Sequence, residues 1–182
     1  MLSSKHHPVL EGLRLVATLS DLSASPLCFV DGTHVQTPYG FEEIQFLTVG
    51  DLVLARCEET GEISSRRITK CSTRDSESVL YVVTQSDIAG TDTVGTTAEH
   101  PFWVQGRGWV EARSLSAGNL LISSIGVRTI VLSVRDAQYR TAVFNIEVEA
   151  LHTYFAGNHG VWVHNACRVA STSAPWQRVC LG

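Results

Sequence analysis

A few residues of this 182-residue chain are of types that could make or break an acyl bond. The first is a thiol, Cys28, in the string Pro26-Leu27-Cys28-Phe29-Val30-Asp31-Gly32-Thr33. A thiolate is a strong nucleophile, and a nearby imidazole can take its proton or lower its pKa. The second group is Thr96-Thr97-Ala98-Glu99-His100-Pro101-Phe102-Trp103, with a hydroxyl and an imidazole three residues apart at Thr97 and His100. The third is Val161-Trp162-Val163-His164-Asn165-Ala166, where a carboxamide follows a histidine, and Asn145 and His152 lie between the second and third groups. Each has a plain reading. Free cysteine is among the most buried residue types, so Cys28 alone would be core. His100 beside Pro101 and Phe102 could be a buried structural histidine, Thr97 a strand residue, and His164-Asn165 an ordinary turn. His159 and His164 with a cysteine could be metal ligands, but their spacing is unspecific.

The elements that must position these groups read as β-strands. The runs 52–55, 78–84, 102–104, 129–134, 143–148 and 161–163 are rich in Val, Ile, Leu and aromatics. Turn clusters separate them: Thr37-Pro38-Tyr39-Gly40, Glu59-Thr60-Gly61, Gly90-Thr91-Asp92, Gly106-Arg107-Gly108 and Gly157-Asn158-His159-Gly160. Short strands at this spacing predict an all-β barrel-like or sandwich domain, and the lack of a long helical period disfavours alternating strands and helices. Phe102, Trp103, Trp109, Tyr154 and Trp162 read as packing residues.

The chain also echoes itself. At an offset of 68, Gly40/Gly108, Glu43/Glu111, Leu47/Leu115, Gly50/Gly118 and Leu52/Leu120 are identical, and Phe41/Trp109 and Asp51/Asn119 are similar. At an offset of 52, His100-Pro-Phe-Trp leading to Gly108 matches His152-Thr-Tyr-Phe leading to Gly160. A hairpin unit used at least twice predicts pseudo-twofold symmetry, which would bring the two ends of the unit together.

Composition bounds the rest. Hydrophobic residues make up 44% and charged residues 18%, enough apolar material for a core. The net charge of −4 offers no basic field, so no nucleic-acid partner is expected. Five cysteines (Cys28, Cys57, Cys71, Cys167, Cys180) with no C-x-x-C argue against a disulfide mini-fold or a zinc ribbon. The odd count leaves at least one thiol free or intermolecular; Cys28 is the expected one, and Cys57 and Cys71 have no assigned role. No apolar run approaches the roughly 20 residues of a membrane span, and no signal-peptide pattern opens the chain. Cytoplasmic location is the default, with export as part of a larger precursor as the variant. Residues 1–27 read as a flank carrying a weak amphipathic helix through Leu10, Leu13, Val16, Ala17 and Leu19.

The ordered strings C-F-V-D-G-T from Cys28, G-D-L-V-L-A from Gly50, T-T-A-E-H-P-F-W-V from Thr96, G-W-V-E-A from Gly108, F-N-I-E-V-E-A-L-H-T-Y-F from Phe144 and V-W-V-H-N-A from Val161 resemble the Hint (hedgehog/intein) module. The form most like it is the bacterial intein-like domain of polymorphic-toxin precursors, the pretoxin Hint domain. The resemblance runs from Cys28 to Asn165. It implies a horseshoe of short strands over 28–165, between an extein-like N-terminal flank (1–27) and a C-terminal flank (166–182). It also implies autocatalytic self-cleavage with the flanks as substrate, no cofactor or metal, and a monomer.

By that resemblance Cys28 attacks the carbonyl of Leu27, with Thr97 and His100 at the scissile bond and His100 protonating the departing Cys28 nitrogen. A planar peptide bond resists this shift, but twisting and proximity can offset the cost. Asn165 then cyclises and releases Ala166 onward. His164 polarises the Asn165–Ala166 bond and His152 assists the Asn165 side chain, with the acid and base roles of the two imidazoles exchangeable because sequence does not give tautomers. Two departures stand out. Splicing inteins usually carry Cys, Ser or Thr after the terminal Asn, and here it is Ala166, so cleavage with thioester hydrolysis is expected over splicing. Asn145 stands where many inteins have Asp; Asn cannot serve as a base, so its expected part is to orient Cys28. No homing endonuclease fits between Thr84 and Val94. The His-Asn ending is that of the intein branch, which argues against hedgehog-type cholesterol transfer. Two rivals remain: a Cys/His/Asn cysteine hydrolase acting on other molecules, and a degenerate β module serving as a connector.

Overall fold

The computed structural model describes residues 27–165. The helix expected near residues 10–19, and Ala166, Cys167 and Cys180, lie outside the described residues. The described chain runs through β1 (Phe29–Val30), β2 (His34–Thr37), β3 (Gly40–Glu43), β4 (Leu52–Arg56), β5 (Ile63–Ser76), β6 (Val79–Ser86) and β7 (Gly90–Thr96). It continues through β8 (Pro101–Val104), β9 (Gly108–Glu111), β10 (Leu120–Leu121), β11 (Thr129–Ala137), β12 (Thr141–Val148), β13 (Thr153–Ala156) and β14 (Val161–His164). The strands form one curled antiparallel path, β3-β2-β13-β14-β8-β10-β11-β6-β7-β1-β12-β5-β4, with β9 on β8. This is the all-β horseshoe expected from the sequence. All six strand runs read from the sequence are strands, and the 84–94 segment is the tip of the β6–β7 hairpin.

The longest strand, β5, was not among those runs. Its sequence, ISSRRITKCSTRDS, holds one fully buried residue, Ile68, and exposes most of the others. It has no apolar face to announce it. Pairing makes it a strand: its first part pairs with β4 (Leu52↔Arg67 to Arg56↔Ile63) and its second with β12 (Val148↔Ile68 to Thr141↔Ser76).

The 68-residue echo is structural. Glu43 and Glu111 both enter 3-10 turns, Ile44–Phe46 and Ala112–Ser114, from extended backbone, and Leu47 and Leu115 close them. The Leu47 N–H donates to the Ile44 carbonyl at 3.3 Å and the Leu115 N–H to the Ala112 carbonyl at 3.2 Å. Next, the Thr48 N–H donates to Asp51 Oδ2 at 2.8 Å, and the Ser116 N–H to Asn119 Oδ1 at 3.1 Å. The identical glycines match too: Gly50 N–H donates to the Ile68 carbonyl (2.9 Å) and Gly118 N–H to the Val131 carbonyl (2.8 Å). Asp51 and Asn119 are equivalent because each supplies a side-chain oxygen to the same turn. The 52-residue echo appears as two hairpins, β8–β9 and β13–β14, lying side by side through Val163↔Phe102.

One continuous apolar core fills the horseshoe, from Val35 and Val53 through Phe29, Phe102 and Tyr154 to Val131. Burying a side chain of this size contributes on the order of 1.5–3 kcal/mol. A close approach seats β1. A Cβ on Gly95 would stand 2.6 Å from Val30 Cγ2 and 2.9 Å from Tyr81 Cε1, so only glycine lets β1 lie against β7 here.

Candidate active site

Cys28 is 1% exposed, just ahead of β1, which is gripped between β7 (Phe29↔Thr96) and β12 (Phe29↔Phe144, Val30↔Val143). Its peptide is clamped by the Thr96-Thr97 pair. The Cys28 N–H donates to Thr97 Oγ1 at 3.1 Å. The Cys28 carbonyl accepts from the Thr97 N–H at 3.0 Å and from Thr96 Oγ1 at 2.9 Å. The hydroxyl at 97 therefore touches the nitrogen of the Leu27–Cys28 bond.

His100 sits just ahead of β8, fully buried, its ring 4.1 Å from that of Phe29 and edge-on to Phe102 and Tyr154. Neither ring nitrogen makes a well-aligned hydrogen bond. Burial in this aromatic box, followed by the charge of His164, lowers its pKa to about 3, and the polar backbone of Cys28 offsets only part of that. At neutral pH the ring is therefore neutral, an available proton acceptor but no source of positive charge for the thiol. Burial raises the Cys28 pKa; the opposing pull comes from Arg74, by hydrogen bonding and by charge. Pairing explains the placement: Val30 lies beside Val143, and Val143 beside Arg74. Paired residues share a face, and so do residues two apart. Val30, Val143, Arg74 and Cys28 therefore line one face, and Cys28, Val30 and Val143 pack into a satellite cluster. Arg74 escaped sequence reading because nothing in the polar run of β5 marks one of its arginines.

The same face holds Asn145, paired with Ser72. Its Oδ1 is buried and makes no hydrogen bond. The next residue acts on the far end of the domain: the Asn165 side-chain amide donates to the Ile146 carbonyl. The Asn165 N–H donates to the His152 carbonyl at 2.8 Å. His152 thus holds Asn165 through its backbone, while its Nδ1 lies 4.0 Å from Glu147 Oε1. This turn is strained. Ala150 and His152 have φ of 61° and 53°, a region that costs non-glycine residues on the order of 1–3 kcal/mol each.

His164, at the end of β14, is 5% exposed. Its ring meets that of Trp109 edge-on at 5.0 Å, and its Nε2 is 3.9 Å from Glu58 Oε1. The same Glu58 oxygen accepts the Trp109 Nε1–H at 2.7 Å. Trp103, Trp109 and Trp162 pack together at ring distances of 4.6–5.0 Å, as expected of packing residues, but Trp109 also grips a carboxylate. Sequence reading missed Glu58, one of two adjacent glutamates in a turn.

The fold thus gathers Cys28, Thr97, His100, Asn145, His152, His164 and Asn165 around the meeting point of β1, β8, β12 and β14. His159 stands apart, its Nδ1 hydrogen-bonded to Thr84 Oγ1 at 2.9 Å. No three ligating side chains among the described residues group closely enough to hold a metal ion. Cys28 and Cys71 are free thiols; Cys28 is buried and Cys71 exposed.

The pretoxin Hint domain profile matches residues 34–166. The structure of a bacterial intein-like domain from Clostridium thermocellum is similar at 31% identity and a TM-score of 0.70, covering 76% of this chain and 98% of that one. The gp41-1 intein is similar at 25% identity and 0.60, covering 78% and 100%. A DnaB intein from Synechocystis sp. PCC 6803 shares the fold at 18% identity and 0.62, covering 77% and 99%. None of the curated protein sequences matches. With a profile spanning most of its length and a 31% identical intein-like relative, the chain belongs to the pretoxin Hint domain family.

Proposed function

We propose that residues 28–165 form an autoprocessing domain that cleaves its own chain at Leu27–Cys28 and at Asn165–Ala166. The observation that carries this reading is the convergence of the two ends on β12: β1, beside Cys28, pairs with it at Phe29↔Phe144, the Asn165 amide bonds the Ile146 carbonyl, and the Cys28 peptide is held by Thr97 with His100 against Phe29. Family membership supports it, since similar structures are those of inteins and an intein-like domain.

In the first step the Cys28 thiol loses its proton and its sulfur attacks the Leu27 carbonyl carbon. With a pKa of about 3, His100 is a weak base toward this thiol and holds the proton only in passing, so its part is to hand the proton straight on to the departing Cys28 nitrogen, which so acidic an imidazolium does readily. The C–N bond breaks, the proton passes to the Cys28 nitrogen as it becomes an amine, and a thioester joins Leu27 to Sγ. Thr97 Oγ1 holds that nitrogen in place. Water then hydrolyses the thioester, leaving a carboxylate on Leu27 and the thiol restored. In the second step Asn165 Nδ2 attacks its own carbonyl carbon. A succinimide forms, one Nδ2 proton passes to a base, the part expected of His152, and the following nitrogen leaves as an amine with a proton from His164. The Ile146 and His152 carbonyls fix the Asn165 side chain and backbone, which is the positioning that makes an intramolecular attack effective. With alanine next, no side chain is present to capture the thioester, and the reading is cleavage, not splicing.

Cys28 is too buried for an external peptide to reach, which disfavours a turnover hydrolase. Intact mass spectrometry tests the proposal. Wild type loses residues 166–182, and Asn165→Ala keeps them. Added thiol releases residues 1–27 from wild type but not from Cys28→Ala. A folded wild-type chain that stays whole under all conditions refutes self-cleavage and leaves the connector reading.

A further inference from the structure

The carboxylate beside His164 has no part in the chemistry drawn so far, in which every acid, base or nucleophile is a histidine, a cysteine or an asparagine. Glu58 is nonetheless held in place. It follows β4, whose end is tied to β13: Thr153 Oγ1 accepts from the Arg56 N–H at 3.1 Å and donates to the Arg56 carbonyl at 2.8 Å. Thr153 is paired with His164, so this tie brings the turn after β4 to His164. The turn closes on itself, with the Cys57 N–H on the Glu62 carbonyl and the Gly61 N–H on the Cys57 carbonyl, both at 2.9 Å. The Glu58 side chain is 21% exposed, one oxygen taken by Trp109 Nε1–H at 2.7 Å and lying 3.9 Å from His164 Nε2. Trp109 also sets its ring edge against the His164 imidazole. One indole therefore fixes both members of the pair.

We propose that Glu58, tethered by Trp109, is a positioning residue for His164: it holds the Nε2 side of the imidazole and favours its protonated form, so that the ring is ready to donate to the nitrogen that leaves Asn165. This inference rests on the reading of His164 as the acid of C-terminal cleavage. Burial raises the pKa of Glu58 and neighbouring Glu59 adds to that, while the Trp109 hydrogen bond opposes both and favours the charged carboxylate. Among the described residues, the other ionisable groups near His164 are Glu59 next to Glu58, His100 ahead of β8, Arg56 stacked 5.1 Å from Trp162, and His152 ahead of β13. Among the described residues, Glu58 is the carboxylate whose oxygen approaches His164 Nε2, at 3.9 Å.

The test uses the full chain. In an Asn165→Ala background, which cannot cyclise, the His164 ring carbon is followed by NMR against pH and assigned with His164→Gln. Glu58→Gln preserves the acceptor for Trp109 and removes only the charge. Its expected effect is a fall of about one to three pH units in the His164 midpoint, the range for loss of a unit charge at about 4 Å between water-like and protein-surface screening. Trp109→Phe is expected to lower the midpoint less, and Glu58→Asp to restore part of it. In the Asn165 chain, Glu58→Gln slows release of residues 166–182 about tenfold above pH 6.5, leaving thiol-induced release of residues 1–27 unchanged. An unmoved midpoint overturns the pairing. A moved midpoint with unchanged C-terminal release overturns its role in positioning. If wild type does not cleave at all, the cleavage reading falls, and the NMR arm still decides whether Glu58 holds His164.

Discussion

Acid should unfold this domain through His100. A histidine titrates near 6.5 when unfolded and about 3 here. The folded state therefore resists protonation, and the unfolded state takes the proton first. The stability tied to this residue is complete above pH 6.5, declines as pH falls and stops declining below about 3. The slope is about 1.4 kcal/mol per pH unit, and over the window from 6.5 to about 3 the loss approaches 4–5 kcal/mol. That is a large share of the 5–15 kcal/mol typical of a domain. The perturbation is His100→Leu in a non-cleaving Cys28→Ala, Asn165→Ala background. Leucine fits the apolar box of Phe29, Phe102 and Tyr154 and cannot take a proton. Urea unfolding followed by tryptophan fluorescence at pH 7.5, 6.5, 5.5 and 4.5 gives the two stability curves. Carboxylates contribute to both, so the difference isolates the histidine. Between pH 6.5 and 4.5 the parent is expected to lose about 2–3 kcal/mol more than the leucine variant. Parallel curves would refute the claim that a buried neutral imidazole sits at the centre of the site.

Four further outcomes follow from single contacts. Thr97→Val removes the hydroxyl that holds the Cys28 nitrogen; thiol-induced release of residues 1–27 is expected to slow by 10–100-fold while C-terminal release persists, read by intact mass. Arg74→Leu removes the cation that draws the Cys28 pKa down; alkylation of the thiol is expected to need higher pH, and an unchanged profile would count against Arg74. Gly95→Ala places a methyl 2.6 Å from Val30 Cγ2; it is expected to cost about 1–3 kcal/mol in urea unfolding, with partial recovery on adding Val30→Ala. Ala150→Gly relieves a φ of 61° and is expected to add up to about 1 kcal/mol, so a loss of stability would show that the turn is not strained.

Much of the architecture was legible because its determinants are local. Strands with an apolar face, such as β6 and β12, show themselves by composition, and turns by their glycines. The offset of 68 was readable because both copies need the same glycine, the same capping oxygen and the same closing leucine. Strand β5 was not readable, since its polar residues become a strand only when β4 and β12 supply partners. The site divides the same way. Cys28, Thr97, His100, His164 and Asn165 stand in short recognisable strings. Arg74 and Glu58 stand in polar runs and gain meaning only from what lies across the sheet.

The sequence by itself determined the inventory: an all-β chain, a repeated hairpin, and a thiol, a hydroxyl, imidazoles and a carboxamide at fixed places along it. Tertiary structure decided what those groups are. Burial among Phe29, Phe102 and Tyr154 makes His100 a neutral ring, and Arg74, not an imidazole, opposes the desolvation of Cys28. Backbone carbonyls of Ile146 and His152 hold Asn165, and an indole fixes a carboxylate beside His164. The physical reason is common to all of these. A group's charge state and freedom depend on solvent exclusion and on partners brought from distant strands, and neither is written in the residues next to it.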